Sequence, residues 1–499
     1  MKRRSFVSAA LVGLSAKAQR RIEGGFADQS HLAGHRLRDR ERFDGPRQSV
    51  RVPLVIVGGG MAGLCAAWRL DRRGFREFVI LEMEAQAGGN SRWGENEVSA
   101  YPWAAHYVPV PNSGMALARE LLEEFGVLRD GEWDERHLCH SPQERLYLHG
   151  RWQEGLEPEV AASQSDRDQY QRFNRLMEEM RHSGEFRIPV ETAKPKRRDL
   201  DRLSMESWLR QNRFDSPYLH WLVDYSCRDD YGARASDCSA WAGIHYFASR
   251  SGKDEKGPIT WPEGNGWIAR RLISKLGKYL RTNVLVNRIE NRGAKFAVRA
   301  GAIEYISDAV IFAAPTFLAR YLMETAPAWT GQYSPWLTAN LTLDRWPAEK
   351  TLPPAWDNVI HGSPALGYVV ATHQSLRTRI DRTVWTYYWA LAAMTPSEGR
   401  RMLLEKDWGW WREAILNDLG RAHPDIRQCV TRIDIMRMGH AMIRPAPGFL
   451  FSPERQRVAV STGRLLFANS DLSGISIFEE AQYRGVEAAE RALRLLGKA

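Results

Sequence analysis

Between residues 54 and 82 the chain runs Leu54-Val-Ile-Val57, then Gly58-Gly-Gly60-Met-Ala-Gly63, then a helical pattern to Arg73, then Phe78-Val-Ile-Leu81 and Glu82. No other stretch limits the fold as tightly. A short continuous apolar run is what a parallel strand buried on both faces requires. The glycines fit G-x-G-x-x-G, and their roles are physical, allowing a tight turn, backbone approach to a pyrophosphate, and close packing of helix on strand. The helix N-terminus aims unpaired amides at phosphate. Ala62, Gly63, Ala66 and Ala67 give that helix a small face, and Gly74 stops it. Glu82 lies 82 − 63 = 19 residues past Gly63, at the end of the second strand, where an adenosine ribose is hydrogen-bonded. The motif alone is weak evidence. Set between strand and helix, with the acid in place, it reads as a dinucleotide-binding βαβ unit.

A chain of 499 residues, 43% hydrophobic, is long enough for two interleaved domains with sizeable cores. Its formal charge of +10 is spread through mixed runs, and no nucleic-acid module is present, so nucleic acid is not an expected partner. No run of about 18 apolar residues exists, so no transmembrane segment is expected. Met1-Lys-Arg-Arg-Ser-Phe6, the apolar Val7 to Leu14 and Ala16-Lys-Ala18 resemble a twin-arginine export signal over residues 1–18, which predicts a periplasmic protein. Residues 19–51 show no apolar period and read as a flexible linker. The cysteines at 65, 139, 227, 238 and 429 have no metal or redox spacing, so no metal is expected, and scattered buried thiols are the simplest account.

Further on, helices are expected at 115–125, 167–181, 205–225 and 267–280, and strands near 284–289 and 296–298, at 308–315, through 335–395 and at 463–468, before a long helix from 478 to 496. Three segments refine the nature of the ligand. Gly88-Gly-Asn90-Ser91 follows Glu82. Asp308-Ala-Val-Ile-Phe-Ala-Ala-Pro315 is a buried strand ended by proline. Phe467-Ala-Asn-Ser-Asp471 precedes a helix containing Glu479-Glu-Ala-Gln-Tyr-Arg-Gly485-Val-Glu-Ala-Ala489. Together with the glycine turn these resemble the flavin amine oxidase and phytoene desaturase-like superfamily. Asn90 stands where that superfamily usually has arginine, which leaves Ser91 and Arg92 as substitutes.

The resemblance implies an α/β fold, with a doubly wound, Rossmann-like FAD-binding domain from 52–110, 250–320 and 455–499. An interleaved mixed α+β substrate domain takes 111–249 and 321–454. It implies FAD as cofactor, held by Gly58, Gly60, Met61, Ala62, Gly63, Glu82, Gly88, Gly89, Asn90, Ser91, Arg92, Ala104, Ile289, Asp471 and Ile477. The Asp471 carboxylate would accept a ribityl hydroxyl. The helix starting near Ile477 would turn its positive end to the flavin pyrimidine.

Activity is harder to read. The implied reaction is FAD-dependent oxidation of an amine or amino-acid-like small molecule, with oxygen or a quinone as electron acceptor. Yet no lysine lies between Lys295 and Lys350, where the amine oxidases place one near the flavin, and the expected strand carries Thr338, Asn340 and Thr342 on one face. Ile477 replaces the usual cage aromatic. A desaturase or isomerase of an apolar substrate, or a non-catalytic flavin-binding scaffold, are the alternatives. Candidate catalytic groups are His106, in Pro102-Trp-Ala-Ala-His106-Tyr107 beside the isoalloxazine, Asn340, and His440 in Met438-Gly-His440-Ala-Met-Ile-Arg444. His440 and Arg444 are candidates for an anionic group. Trp385, Tyr387 and Trp389 share one strand face and either line a cavity or pack a core. Oligomeric state is not legible.

Overall fold

Leu54, Ile56, Phe78, Ile80, Ala309 and Ile311 turn to one side of a parallel sheet, and Val55, Val57, Val79, Leu81, Val310 and Phe312 to the other. Both faces are therefore apolar, and both are covered. In this computed structural model, which describes residues 21–27, 30–250, 257–349, 351–377, 379–460 and 463–498, the sheet has five strands. Their order is Leu280–Arg281, Phe78–Leu81, Leu54–Val57, Ala309–Phe312 and Leu465–Phe467, and every pairing is parallel. Helices Met61–Arg72, Gly266–Leu276 and Phe478–Leu495 bury one face. The other is covered by a four-stranded sheet of Val286–Arg292, Lys295–Ala300, Ile303–Ser307 and Gln48–Arg51.

Two close approaches hold the helical layer. A Cβ at Gly63 would overlap the Gly58 carbonyl oxygen, and one at Gly485 would overlap the Ala62 carbonyl oxygen. Small residues thus let helix Met61–Arg72 sit hard against both the turn that precedes it and the C-terminal helix.

A second, eight-stranded sheet runs in the order Glu23–Phe26, Val430–Arg444, Gln332–Leu343, Thr383–Ala390, Gly367–Val370, Asp357–Ile360, Glu144–Leu148 and Arg151–Glu154. A helical cluster built around Phe173, Trp208, Phe214, Tyr231 and Trp241 packs beside it.

Several expectations are corrected. Residues 19–51 are no mere linker: Glu23–Phe26 pairs in parallel with Arg432–Ile435, His31–Arg38 is a helix, and Gln48–Arg51 pairs in parallel with Ile303–Ile306. Edge strands are held by backbone bonds to a neighbour, which leave no side-chain period to read. The Ser30 amide and hydroxyl also bond the Glu84 carboxylate, at 2.9 and 3.0 Å. The single helix expected over 205–225 is two, Met205–Gln211 and Pro217–Tyr231, because Pro217 opens a new helix whose cap, Ser216, accepts from the Leu219 amide. The export signal over residues 1–18 lies outside the described residues. All five cysteines are buried and free, and no described helix is long and apolar enough to cross a membrane.

The crossing of the two helices gives a direct test. Gly485→Val puts a branched side chain where the Ala62 carbonyl sits, and overpacking of this kind costs about 1–3 kcal/mol. Chemical denaturation should show that loss, whereas Gly45→Val, at an exposed loop position that meets no neighbour within 4 Å and has no positive φ, serves as the surface control.

Candidate functional site

The turn after strand Leu54–Val57 makes the first wall of the site. Gly58 has φ +105°, a conformation that side-chain-bearing residues rarely adopt. Gly60 caps the following helix with no side-chain bond, so the first-turn amides have no partner within the helix. A Cβ at Gly60 would meet nothing closer than the Gly89 Cα at 3.8 Å. Space therefore lies directly in front of the helix N-terminus.

Glu82 locks this turn. Its Oε2 accepts the Gly59 amide at 2.6 Å and its Oε1 the Glu84 amide at 2.8 Å. A carboxylate offers about four acceptor sites, so two remain for the hydroxyls of a ribose. Burial pushes the Glu82 carboxyl up, and the two backbone bonds oppose that shift. Gly88, at φ +123°, donates its amide to the Gly59 carbonyl at 2.8 Å and brings the second glycine segment against the first.

A cavity of about 700 Å³ opens from this turn, within the roughly 300–1,000 Å³ range of ligand sites. Gly58, Gly60, Met61, Ala62, Glu82, Gly89, Asn90, Ser91, Arg92, Asp471, Ile477 and His440 all line it. Asn90 is fixed by donating to the Ala441 carbonyl at 2.6 Å. Arg92 is buried with its Nε unpaired, a donor that a phosphate or carbonyl oxygen would satisfy. Asp471 Oδ2 accepts from the Thr316 amide at 2.8 Å and the Tyr333 hydroxyl at 2.5 Å, so its carboxylate is held in one orientation. Burial pushes that carboxyl up, against the two bonds. Ile477 caps helix Phe478–Leu495 without a side-chain bond and leaves the first-turn amides facing the cavity.

The structure places other expected residues elsewhere. Gly63 and Gly88 act behind the wall, in the close approaches already described. Ile289 is a core residue packed with Phe296 and Val298, and its neighbours Val284, Leu285 and Val286 line the cavity instead. Ala105, not Ala104, faces the cavity; the Ala104 carbonyl accepts from the Tyr388 hydroxyl at 2.9 Å. Asn340 donates to the Pro102 carbonyl at 3.1 Å and accepts from Thr386 at 2.7 Å, so both ends of its amide are engaged within the protein, and it does not line the cavity of the glycine turn. Arg444 is buried beside Asp237 at 3.4 Å, a pairing that answers for its charge. Trp385 stacks on Tyr368 at 3.9 Å and Tyr387 bonds Asp418 at 2.9 Å on the core face of their strand, while Tyr388 turns to the opposite side.

His440 stacks on Phe317 at 4.4 Å, and burial, then the Arg400, Arg320 and His35 charges, lower it to about 4. It is neutral at physiological pH, with its ring nitrogens available as a hydrogen-bond donor and acceptor. His106 is lowered to about 4 by burial; it stacks on Tyr388 at 4.6 Å and lies 5.5 Å from the Trp356 ring. It belongs to a separate aromatic wall. Helix His31–Arg38 also lines the cavity through His31, His35 and Arg38, a contribution hidden by the polar composition of that stretch.

A parallel sheet, a glycine turn locked by a strand-end acid, and one cavity reaching two helix N-termini define a dinucleotide-binding protein of the α/β class. The sequence matches the family described as flavin containing amine oxidoreductase over residues 61–493, and the chain belongs to that family. AofH of Mycobacterium tuberculosis, which carries the name of a flavin-containing monoamine oxidase, is 27% identical over 287 residues, 53% of this chain and 57% of AofH. The chain thus spans little more than half the length of that relative. Among solved structures, wild-type putrescine oxidase bound to putrescine superposes with TM-score 0.65 at 15% identity, covering 89% of this chain and 100% of the other. Cyclohexylamine oxidase from Brevibacterium oxydans gives 0.67 at 14% identity, with 89% and 99% covered. A fatty acid isomerase from P. acnes gives 0.61 at 14%, with 88% and 98% covered. These likenesses establish the fold, and the family's cofactor is a flavin.

The geometry separates two glycines that one motif treats alike. Gly60→Leu should cost the apoprotein no more than about 1 kcal/mol, the scale of an N-cap preference, yet abolish flavin retention because its side chain enters the cavity. Gly63→Leu should reach the top of the about 1–3 kcal/mol overpacking range or exceed it. Denaturation curves and the flavin absorbance of purified variants check both.

Proposed function

We propose that the protein is an FAD-dependent oxidoreductase that oxidises an amine. The observation that carries this reading is the single cavity joining the glycine turn, Glu82, Asp471 and the Ile477 helix end, a layout matched to a dinucleotide with a phosphate-and-ribose half and a ring half. Amine substrates are favoured by membership of the amine oxidoreductase family and by the names of AofH, putrescine oxidase and cyclohexylamine oxidase.

When bound, the flavin supplies the acceptor for a hydride from the carbon that bears the amine. The chain's own residues do the rest. Gly60 and the first-turn amides would hold the pyrophosphate, Glu82 the ribose, and Arg92 an oxygen of the cofactor. The Ile477 end of the C-terminal helix lines the same cavity, where its positive dipole would stabilise negative charge on the flavin ring. His440, neutral and cavity-facing, would orient the ligand as a hydrogen-bond partner. The substrate would leave as an imine that water hydrolyses to a carbonyl compound and ammonia, or an amine where the nitrogen is substituted, and oxygen or a quinone would take the two electrons.

A desaturase or isomerase of an apolar substrate is the second reading, favoured by the lysine-free strand Gln332–Leu343. Anaerobic addition of amines to purified holoprotein separates the two. Loss of the flavin band near about 450 nm, a property of the cofactor, is the expected result; a bound flavin that no amine bleaches contradicts amine oxidation.

We also propose that the folded protein is exported to the periplasm, on the strength of Arg3-Arg4 and the apolar run after them. Residues 1–30 fused to a folded reporter should send it to the periplasm, and retention in the cytoplasm would refute export.

A further inference from the structure

Beyond the Ala105 wall of the flavin cavity lies a second group of residues that the cofactor does not use. His106 and Tyr107 follow Ala105 and turn to different neighbours: His106 to Tyr388 and Trp356, Tyr107 to Trp356 at 5.8 Å. Three carboxyl groups share this space. Glu144 and Asp357 open adjacent parallel strands and stand directly opposite each other in the register. Asp229, from helix Pro217–Tyr231, faces both: the Glu144 charge acts on Asp229, and the Glu144 and Asp229 charges act on Asp357. Tyr225 and Tyr388 lie in the fields of Asp229 and Asp357.

Like charges opposed on paired strands destabilise a sheet, and an uncompensated buried carboxylate costs several kcal/mol. The Arg250 and Arg228 charges oppose the shift at Asp229, but neither arginine bonds these carboxylates among the described residues. Arg250 is committed to Asp230 through two bonds of 2.8 and 2.9 Å, and Arg228 to Asp224 at 3.0 Å. Among the described residues, no side chain or amide bonds the carboxylates of Asp229 and Glu144, and Asp357 has only the adjoining Asn358 amide. All three sit deep among protein atoms, yet the Glu144 side chain is exposed and those of Asp229 and Asp357 only half-buried, so each keeps surface that water can touch. They therefore line a void rather than fill a core. Burial and the Asp230 charge push the Asp229 carboxyl up to about 7, as expected of an acid waiting for a cation.

We infer that the substrate carries a second ammonium group, held by Asp229, Glu144 and Asp357 beside the Tyr225 and Tyr388 rings, while its first amine is oxidised at the flavin. The substrate class is then the linear diamines and polyamines. Tyrosine rings add cation–π attraction, whereas the carboxylates repel amino acids and reject an apolar chain, which would leave buried charge unpaired. The inference rests on the amine-oxidising reading and specifies its substrate.

The test is calorimetric titration of the holoprotein with putrescine, spermidine and butylamine, in the wild type and in Asp229→Asn and Glu144→Gln. The wild type should bind the diamine and polyamine at least about tenfold more tightly than butylamine. Each variant should lose most of that preference and leave butylamine binding unchanged. Both substitutions remove a buried like charge, so folding should survive, and flavin content reports it; Asp357→Asn provides a third variant. Equal affinities in the wild type, or a preference retained in both variants, would overturn the inference. Binding separates it from the reading it rests on: amines that bleach the flavin without diamine preference refute only the acidic subsite, and acid-dependent diamine binding without bleaching refutes only the oxidation.

Discussion

Everything in this molecule hangs on how closely three pieces of backbone approach one another at the glycine turn. Helix Met61–Arg72 is wedged between the Gly58 carbonyl and the C-terminal helix, and at Gly63 and Gly485 the space left admits hydrogen only. That wedge fixes where the helix N-terminus points, and so where unpaired amides meet the cavity. Packing at this density is intolerant of an added methylene. The stability of the domain and the position of the ligand site are thus set by the same contacts. Gly60, one turn nearer the cavity, escapes the constraint and faces open space, which marks it as a ligand residue rather than a packing residue.

Buried carboxylates then divide the labour. Glu82 is satisfied by two backbone amides and turns its remaining lone pairs to the cavity. Asp471 is held by Tyr333 and Thr316. Asp229 and Glu144 have no such bond among the described residues, Asp357 has only that of the Asn358 amide, and none of the three lines the cavity of the glycine turn. Desolvating a carboxylate costs several kcal/mol unless it is paired or neutralised, and this asymmetry distinguishes acids that organise the fold from acids placed for a ligand.

Elements with strong local signals are legible in the sequence. Strand Leu54–Val57, the glycine turn, Glu82, strand Ala309–Phe312 and the helix after Ile477 announce themselves by apolar run, glycine spacing or position. What is not legible depends on partners far away in the chain. Strand Glu23–Phe26 exists because a sheet edge accepts its backbone, not because of its own side chains. Asn340 reads as catalytic on its strand face, but Pro102 and Thr386 consume its amide. Period two places Trp385 and Tyr387 together correctly, yet nothing in it says which face meets the core. Glu144 and Asp357 are ordinary acids in sequence; only the parallel register sets them side by side.

One cavity spans from the Gly60 turn to the Ile477 helix end, and the proposed occupant is a complete flavin dinucleotide. The most direct measurement is chromatography and mass spectrometry of the chromophore released by denaturing the purified protein. FAD at close to one equivalent per chain is the predicted result. Release of FMN, of a nicotinamide nucleotide, or of no nucleotide from protein supplied with FAD would contradict it.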